Sequence, residues 1–184
     1  DPALRWEAFA ARVGLVFAEF QKAWSARDLA AMRPFLSDNL FEVETYWIRA
    51  YEAQHLRNVT ENARITQLEL ARVASDKFYD AITIRLFATS LDYTVSTADP
   101  GKPATAERLV CGSRSRERRY SEYWTFLRSA RRTGPPRLDR TCPNCGAPLA
   151  INMAGNCTYC SAKVTGGDFD WVLSRIEQDE SYTG

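Results

Sequence analysis

Histidine is nearly absent from this chain. Among 184 residues His55 is the one imidazole, so chemistry that needs two or more histidines, in a relay or around a metal, is excluded. Long apolar runs are missing as well. No stretch approaches the ~18 residues that a membrane-spanning helix requires, and no signal-peptide pattern opens the chain. A phosphate-cradling glycine loop, a dinucleotide fingerprint and a nucleophile elbow are all lacking. So is an excess of one sign of charge: the net charge is +1, which by itself points to no nucleic-acid partner. The first residue is Asp1 rather than Met, and the chain reads as a fragment of a longer protein.

What is present supports a folded core. Hydrophobic residues make up 45% and aromatics 12% of the sequence, and the length suits one ordinary domain with a small appendage. Charge is unevenly spread. Residues 1–104 carry 12 basic and 14 acidic groups, residues 105–140 carry 10 and 4, and residues 141–184 carry 2 and 5.

The strongest chemical signal is Cys142-Pro143-Asn144-Cys145-Gly146 followed by Cys157-Thr158-Tyr159-Cys160, with two residues inside each pair and eleven between the pairs. Two such knuckles offer four thiolates to one tetrahedral ion, the donor set of a closed structural zinc site. Iron would accept the same ligands. Gly146 can take positive φ just after its knuckle and aim N–H groups at the sulfurs. With Cys142, Cys145, Cys157 and Cys160 all bound, no position is left for a catalytic water, so the expected role of Zn2+ is structural.

Taken in order, the chain predicts a long amphipathic helix over residues 2–25, with Trp6, Phe9, Val13, Val16, Phe17, Phe20 and Trp24 on one stripe. Asp28 caps a short helix over 29–33. A third helix runs from Ser37 or Asp38 to about residue 57; its apolar residues cover more than one face, as in a helix that is buried on several sides or shows aromatic surface to a partner. Strands follow at 64–74, 78–96, 106–111 and 118–128, with a loop of turn residues at 99–103. Strands joined by short turns are antiparallel, so helices followed by a meander give an α+β fold. Residues 131–140 are a basic linker, and 141–184 hold the zinc ribbon and a docking segment, in which Asp168 caps a short helix bearing Phe169, Val172, Leu173 and Ile176.

The succession Phe20-Gln21-Lys22-Ala23-Trp24-Ser25, Asp28-Leu29, Met32-Arg33-Pro34-Phe35-Leu36-Ser37 and Tyr123-Trp124-Thr125-Phe126-Leu127-Arg128 resembles the Tim44-like domain over about residues 4–130. The resemblance implies a cone-shaped, curved antiparallel sheet packed by N-terminal helices, like nuclear transport factor two, with a hydrophobic pocket between sheet and helices. It also implies a peripheral membrane or tethering role, with affinity for anionic lipid in the mitochondrial members. The chaperone-binding N-terminal region of the mitochondrial import-motor scaffold is missing here and a zinc ribbon is added, which suits a bacterial-type relative. A location on the cytoplasmic side, at a membrane, through a segment outside this chain, follows from that picture.

Enzymes use the same cone, and they need an acid or base facing the pocket. His55, near the end of the third helix, reads as a dipole partner. Asp92 beside Tyr93 is the other candidate pair, and Cys111 reads as a small core residue. The expected function is therefore a non-enzymatic binding or scaffolding module. Its pocket would be lined by Trp47, Tyr51, Phe87 and Trp124 and would take a lipid tail or a partner peptide. The basic segment, with Arg114, Arg116, Arg118, Arg119, Arg131 and Arg132, would contact anionic lipid or phosphate, or a membrane-associated protein. Nucleic acid is the weaker alternative, because the ribbon itself is acidic.

Overall fold

The computed structural model describes residues 1, 3–97 and 107–184. The loop expected at 99–103 and the first residue of the strand expected from 106 lie outside the described residues.

Helix α1 (Trp6–Ala26) forms on the three-and-four spacing of Phe9, Val13, Val16, Phe17 and Phe20, all buried. Arg27 ends it in the left-handed region at φ 56°. The Asp28 carboxylate accepts from Ala31 N at 2.9 Å and caps α2 (Leu29–Met32), which runs into a 3-10 turn, Arg33–Phe35, containing Pro34. Ser37 caps α3 (Asp38–Ala53). The sequence carries this helix on to about residue 57; it stops earlier because His55 turns left-handed, at φ 54°, and Leu56 already pairs in the sheet.

Strands β1 (Leu56–Ser75) and β2 (Tyr79–Ser96) form a long hairpin, paired from Leu56 opposite Ser96 to Ser75 opposite Asp80. Three register shifts interrupt β1, the first at Asn62 with φ 53°, and such bulges bend a strand and curve its sheet. On the other edge of β2 lie β4 (Arg118–Ser129) and, farther along, β3 (Arg108–Gly112). The order is β1-β2-β4-β5, with β3 also on β2.

Strand β5 (Val172–Gln178) is where the reading of the sequence needs correction. The segment expected as a short capped helix pairs antiparallel with β4, Leu127 opposite Val172 and Trp124 opposite Ile176. A run as short as Val172 to Ile176 suits either period, and the open edge of β4 decides between them. A strand there satisfies two rows of backbone groups, whereas an isolated short helix is marginal in water. Ser37 N donates to Leu173 O at 2.9 Å, so the entry to α3 covers part of the new edge.

The core lies between α1 and the inner face of the sheet. Ile82, Ile84, Leu86 and Ala88 of β2, Trp124 and Phe126 of β4 and Leu173 of β5 are buried there. Phe9 packs edge-on against Phe126 and Trp171 at 5.5 and 5.4 Å, and Phe17 and Phe20 meet Trp124 at 5.6 and 5.7 Å. The chain is α+β, a curved antiparallel sheet with N-terminal helices packed on it.

Candidate metal centre and polar cavity

The two cysteine knuckles have the same local build. Cys142 N donates to Ala147 O and Gly146 N to Cys142 O, at 2.7 and 2.9 Å; Cys157 N donates to Ala162 O and Ser161 N to Cys157 O, both at 2.9 Å. Gly146 and Ser161 hold the matching left-handed position, φ 73° and 60°. These turns bring all four Sγ atoms within 4.8 Å of one another. Cys142 and Cys160 are 3.7 Å apart, Cys145 and Cys157 4.0 Å. A tetrahedron with metal–sulfur bonds of about 2.3 Å has edges of about 3.8 Å, so the donor set and its spacing fit zinc. All four cysteines are free of disulfides. The Asn144 carboxamide donates to Cys160 Sγ at 3.4 Å and draws that thiol down to about 6, and backbone N–H groups of Asn144 and Cys145 point at Cys142. N–H groups aimed at sulfur favour the thiolate, which is the metal-binding form.

Buried arginines tie this module to the cone. Arg33, 1% exposed, donates to Met153 O at 2.8 Å and to Leu36 O at 3.0 Å, pairs with Asp38 and lies over the Phe41 ring. Lys163 reaches the same Asp38 at 2.7 Å. Gly155 sits at this junction with φ 83°, and a Cβ there would come within 2.1 Å of Thr165 Oγ1 and 2.5 Å of Arg33 Nη2. Arg12 of α1 donates to Trp171 O at 3.0 Å and to Arg137 O at 3.2 Å, and Arg140 pairs with Glu19.

The four pocket residues expected from the sequence do not converge. Trp124 is fully buried in the core, and Tyr51 packs edge-on against Trp24 at 6.2 Å. Trp47 stands 51% exposed on the outer side of α3, its ring against Tyr46, and Phe87 lies on the other face of the sheet under Arg85. Nor is the cavity beside them apolar. A space of about 280 Å³ opens where α1 and α3 meet the sheet, lined by Phe20 and Trp24 but also by Glu44, Ser90, Tyr120 and Glu122. The aliphatic side chains of the sheet are used against α1, which leaves the polar positions of β1, β2 and β4 to face this opening. Glu44 is 92% buried, from its 8% exposure, and burial, with the nearby Glu122 charge, pushes its carboxyl up to about 7. Burial lifts the Tyr120 phenol to about 12. The pattern-based reading missed Glu44 because one acid within an aromatic-rich helix carries no motif; the signal was its place at the i−4 position before Ile48 and i+4 after Leu40, on the buried side of α3.

The remaining candidates are scattered. The arginines fall into two groups: Arg114, Arg116, Arg118 and Arg119 at the start of β4, Arg131 and Arg132 beyond its end. At about 3.3 Å per residue β4 separates them by roughly 35 Å. Arg118 pairs with Asp92 at 2.8 Å, Arg114 lies over the Tyr93 ring and Arg132 donates to Phe169 O. Asp92 and Tyr93 do not act together: Asp92 accepts from Asn58 and Arg118, while the Tyr93 hydroxyl donates to Glu61 at 2.7 Å. His55 is exposed, and Cys111 is exposed on β3 instead of lying in the core, since that short strand covers only the end of β2.

The family model of the Tim44-like domain matches residues 1–139. The chain belongs to the Tim44-like domain family. The Tim44-like match takes in α1 through β4 and stops before the four cysteines and β5, although β5 completes the sheet. No curated protein is significantly similar to this chain. Among solved structures, the crystal structure of the intermembrane space region of the chloroplast protein ARC6 is similar at a TM-score of 0.41 and 11% identity, over 95% of this chain and 97% of that one. Among the described residues of this Tim44-like chain, no helix is long and apolar enough to cross a membrane.

Proposed function

We propose that this Tim44-like chain is a non-enzymatic, membrane-associated binding or scaffolding module, with Cys142, Cys145, Cys157 and Cys160 holding a structural zinc ion. Membership of the Tim44-like family over residues 1–139 is the observation that carries the reading. Two surfaces support it. The arginines at the start of β4 offer planar donors to lipid phosphates, and α3 presents Val43, Tyr46 and Trp47, exposed by 49%, 65% and 51%, as an apolar face for a protein partner. Zinc would lock the two knuckles to each other, and four thiolates leave it no open coordination position. The polar cavity favours a second reading, a small-molecule enzyme on the same cone, because proton transfer uses a group that titrates near neutrality.

Vesicle co-sedimentation separates the two. The scaffold reading expects binding that rises with the anionic-lipid fraction, weakens as salt screens the charges, and falls when Arg116 and Arg119 are replaced by Glu. Binding that ignores lipid charge and survives those replacements sinks the membrane part of the reading.

A further inference from the structure

Among the described residues, the cavity between α1, α3 and the sheet is lined by more acids than bases: Glu44, Asp92 and Glu122 against Arg118. Of its charged groups, Arg118 is already paired with Asp92. Glu122 accepts only neutral donors, Trp124 Nε1 and Gln178 Nε2, each at 2.9 Å. Glu44, the most enclosed, has no hydrogen bond or ion pair among the described residues. Ser90 Oγ and Tyr120 Oη line the same cavity and are buried, facing each other without a well-formed hydrogen bond to any of the described residues. Leaving two buried hydroxyls unsatisfied is costly, and the Glu44 carboxylate lines the same space with no protein donor among the described residues. A site arranged in this way lacks a donor, and here it lacks a positive one. Phe20, Trp24 and Tyr120 supply aromatic walls, against which a cation is favoured. The space of about 280 Å³ holds much more than a single water.

We infer that this cavity is a binding site for an alkylammonium group, which would bond Glu44, Ser90 and Tyr120 and lie in the field of Glu122. A primary ammonium has three donors and no acceptor, matching what these groups miss. The same chemistry reaches the site either as a free diamine or as the lysine side chain of a partner protein. Because Glu44 sits near neutrality when the cavity is empty, a bound cation would drive its proton off, so binding strengthens as pH rises through that range. The other charged or titratable groups lining the cavity are Glu122, Asp92, Arg118 and Tyr120, whose phenol burial lifts to about 12, so that it stays protonated over this range; Gln21 of α1 and Gln178 of β5 do not titrate. The site is independent of membrane association, so vesicle binding and ligand binding succeed or fail separately.

Calorimetric titration of the whole zinc-loaded chain tests this with three probes: 1,5-diaminopentane, a short end-blocked peptide with one lysine, and 1,5-pentanediol as the uncharged match. At least one amine should bind saturably with Kd at or below about 1 mM, and the diol should not bind. Glu44→Gln should weaken that binding about tenfold or more and remove its rise between pH about 6 and about 8. Tighter binding of the peptide assigns the site to a protein lysine, tighter binding of the diamine to a small metabolite. Quenching or shift of Trp24 fluorescence gives an independent reading, and the circular dichroism of Glu44→Gln checks that it folds. Should a folded Glu44→Gln bind as well as the parent, should the diol bind equally, or should neither amine saturate by about 10 mM, the inference fails.

Discussion

At the scale of single residues, Glu44 and Arg33 show how burial changes the meaning of a charge. Arg33 is enclosed but fully employed: two carbonyls, a carboxylate and an aromatic face take up its guanidinium, so it works as a fastener between cone and cysteine module. Glu44 is enclosed and unemployed. Its carboxyl, raised from 4.5 to about 7, binds a proton more tightly in the folded chain than in the unfolded one. Stability contributed at this position is therefore present below pH about 4.5 and lost as pH rises to about 7. Glu44→Gln should remove that loss, raising stability at pH about 8 by on the order of 2–3 kcal/mol, with little change at pH about 4. Thermal melts of the two proteins across that range check it; equal slopes would show that Glu44 finds a partner in solution.

Among the elements, β5 decides the architecture. It pairs with β4 along its length and puts Leu173, with no exposed surface, into the same core as Phe9 and Trp124. Leu173→Ala should cost about 2–5 kcal/mol of global stability, as for a fully packed leucine, whereas a loosely docked terminal helix would lose well under about 1 kcal/mol at a surface site. Denaturant titration gives the number. The same element explains what was legible beforehand. The apolar stripe of α1, the caps at Asp28 and Ser37 and the long β2 are local patterns, and each appears close to where the sequence places it. Residues 56–63 and 172–176 were not legible in this way, because their conformation depends on a partner strand far along the chain: β2 recruits the first and β4 the second.

For the whole molecule, the consequence is that the cysteine module sits between two neighbouring strands of one sheet. Chain passes from β4 through the knuckles and back to β5, while Arg33 and Arg12 hold this insertion from the cone side and Lys163 reaches back from the module to Asp38 of α3. Reducing purification should give about one zinc per chain. Stripping it, or replacing Cys145 by Ser, should lower the melting temperature of the cone too, not just of the module, because β5 would lose its anchored approach. A second, unshifted unfolding step for the cone would show that module and cone are independent.

The sequence by itself determined the parts whose cause is local: four thiols at knuckle spacing, helices from apolar period and caps, antiparallel strands from alternation and turns, and the family likeness they compose. Tertiary structure alone decided the rest. It turned residues 172–178 into a strand, divided the arginines between two ends of β4, sent Trp47 and Phe87 to opposite outer surfaces, and gathered Glu44, Ser90, Tyr120 and Glu122 into one polar cavity. The physical reason is common to all of these. Burial, edge pairing and unpaired charge are properties of neighbours in space, and those neighbours come from strands and helices dozens of residues apart.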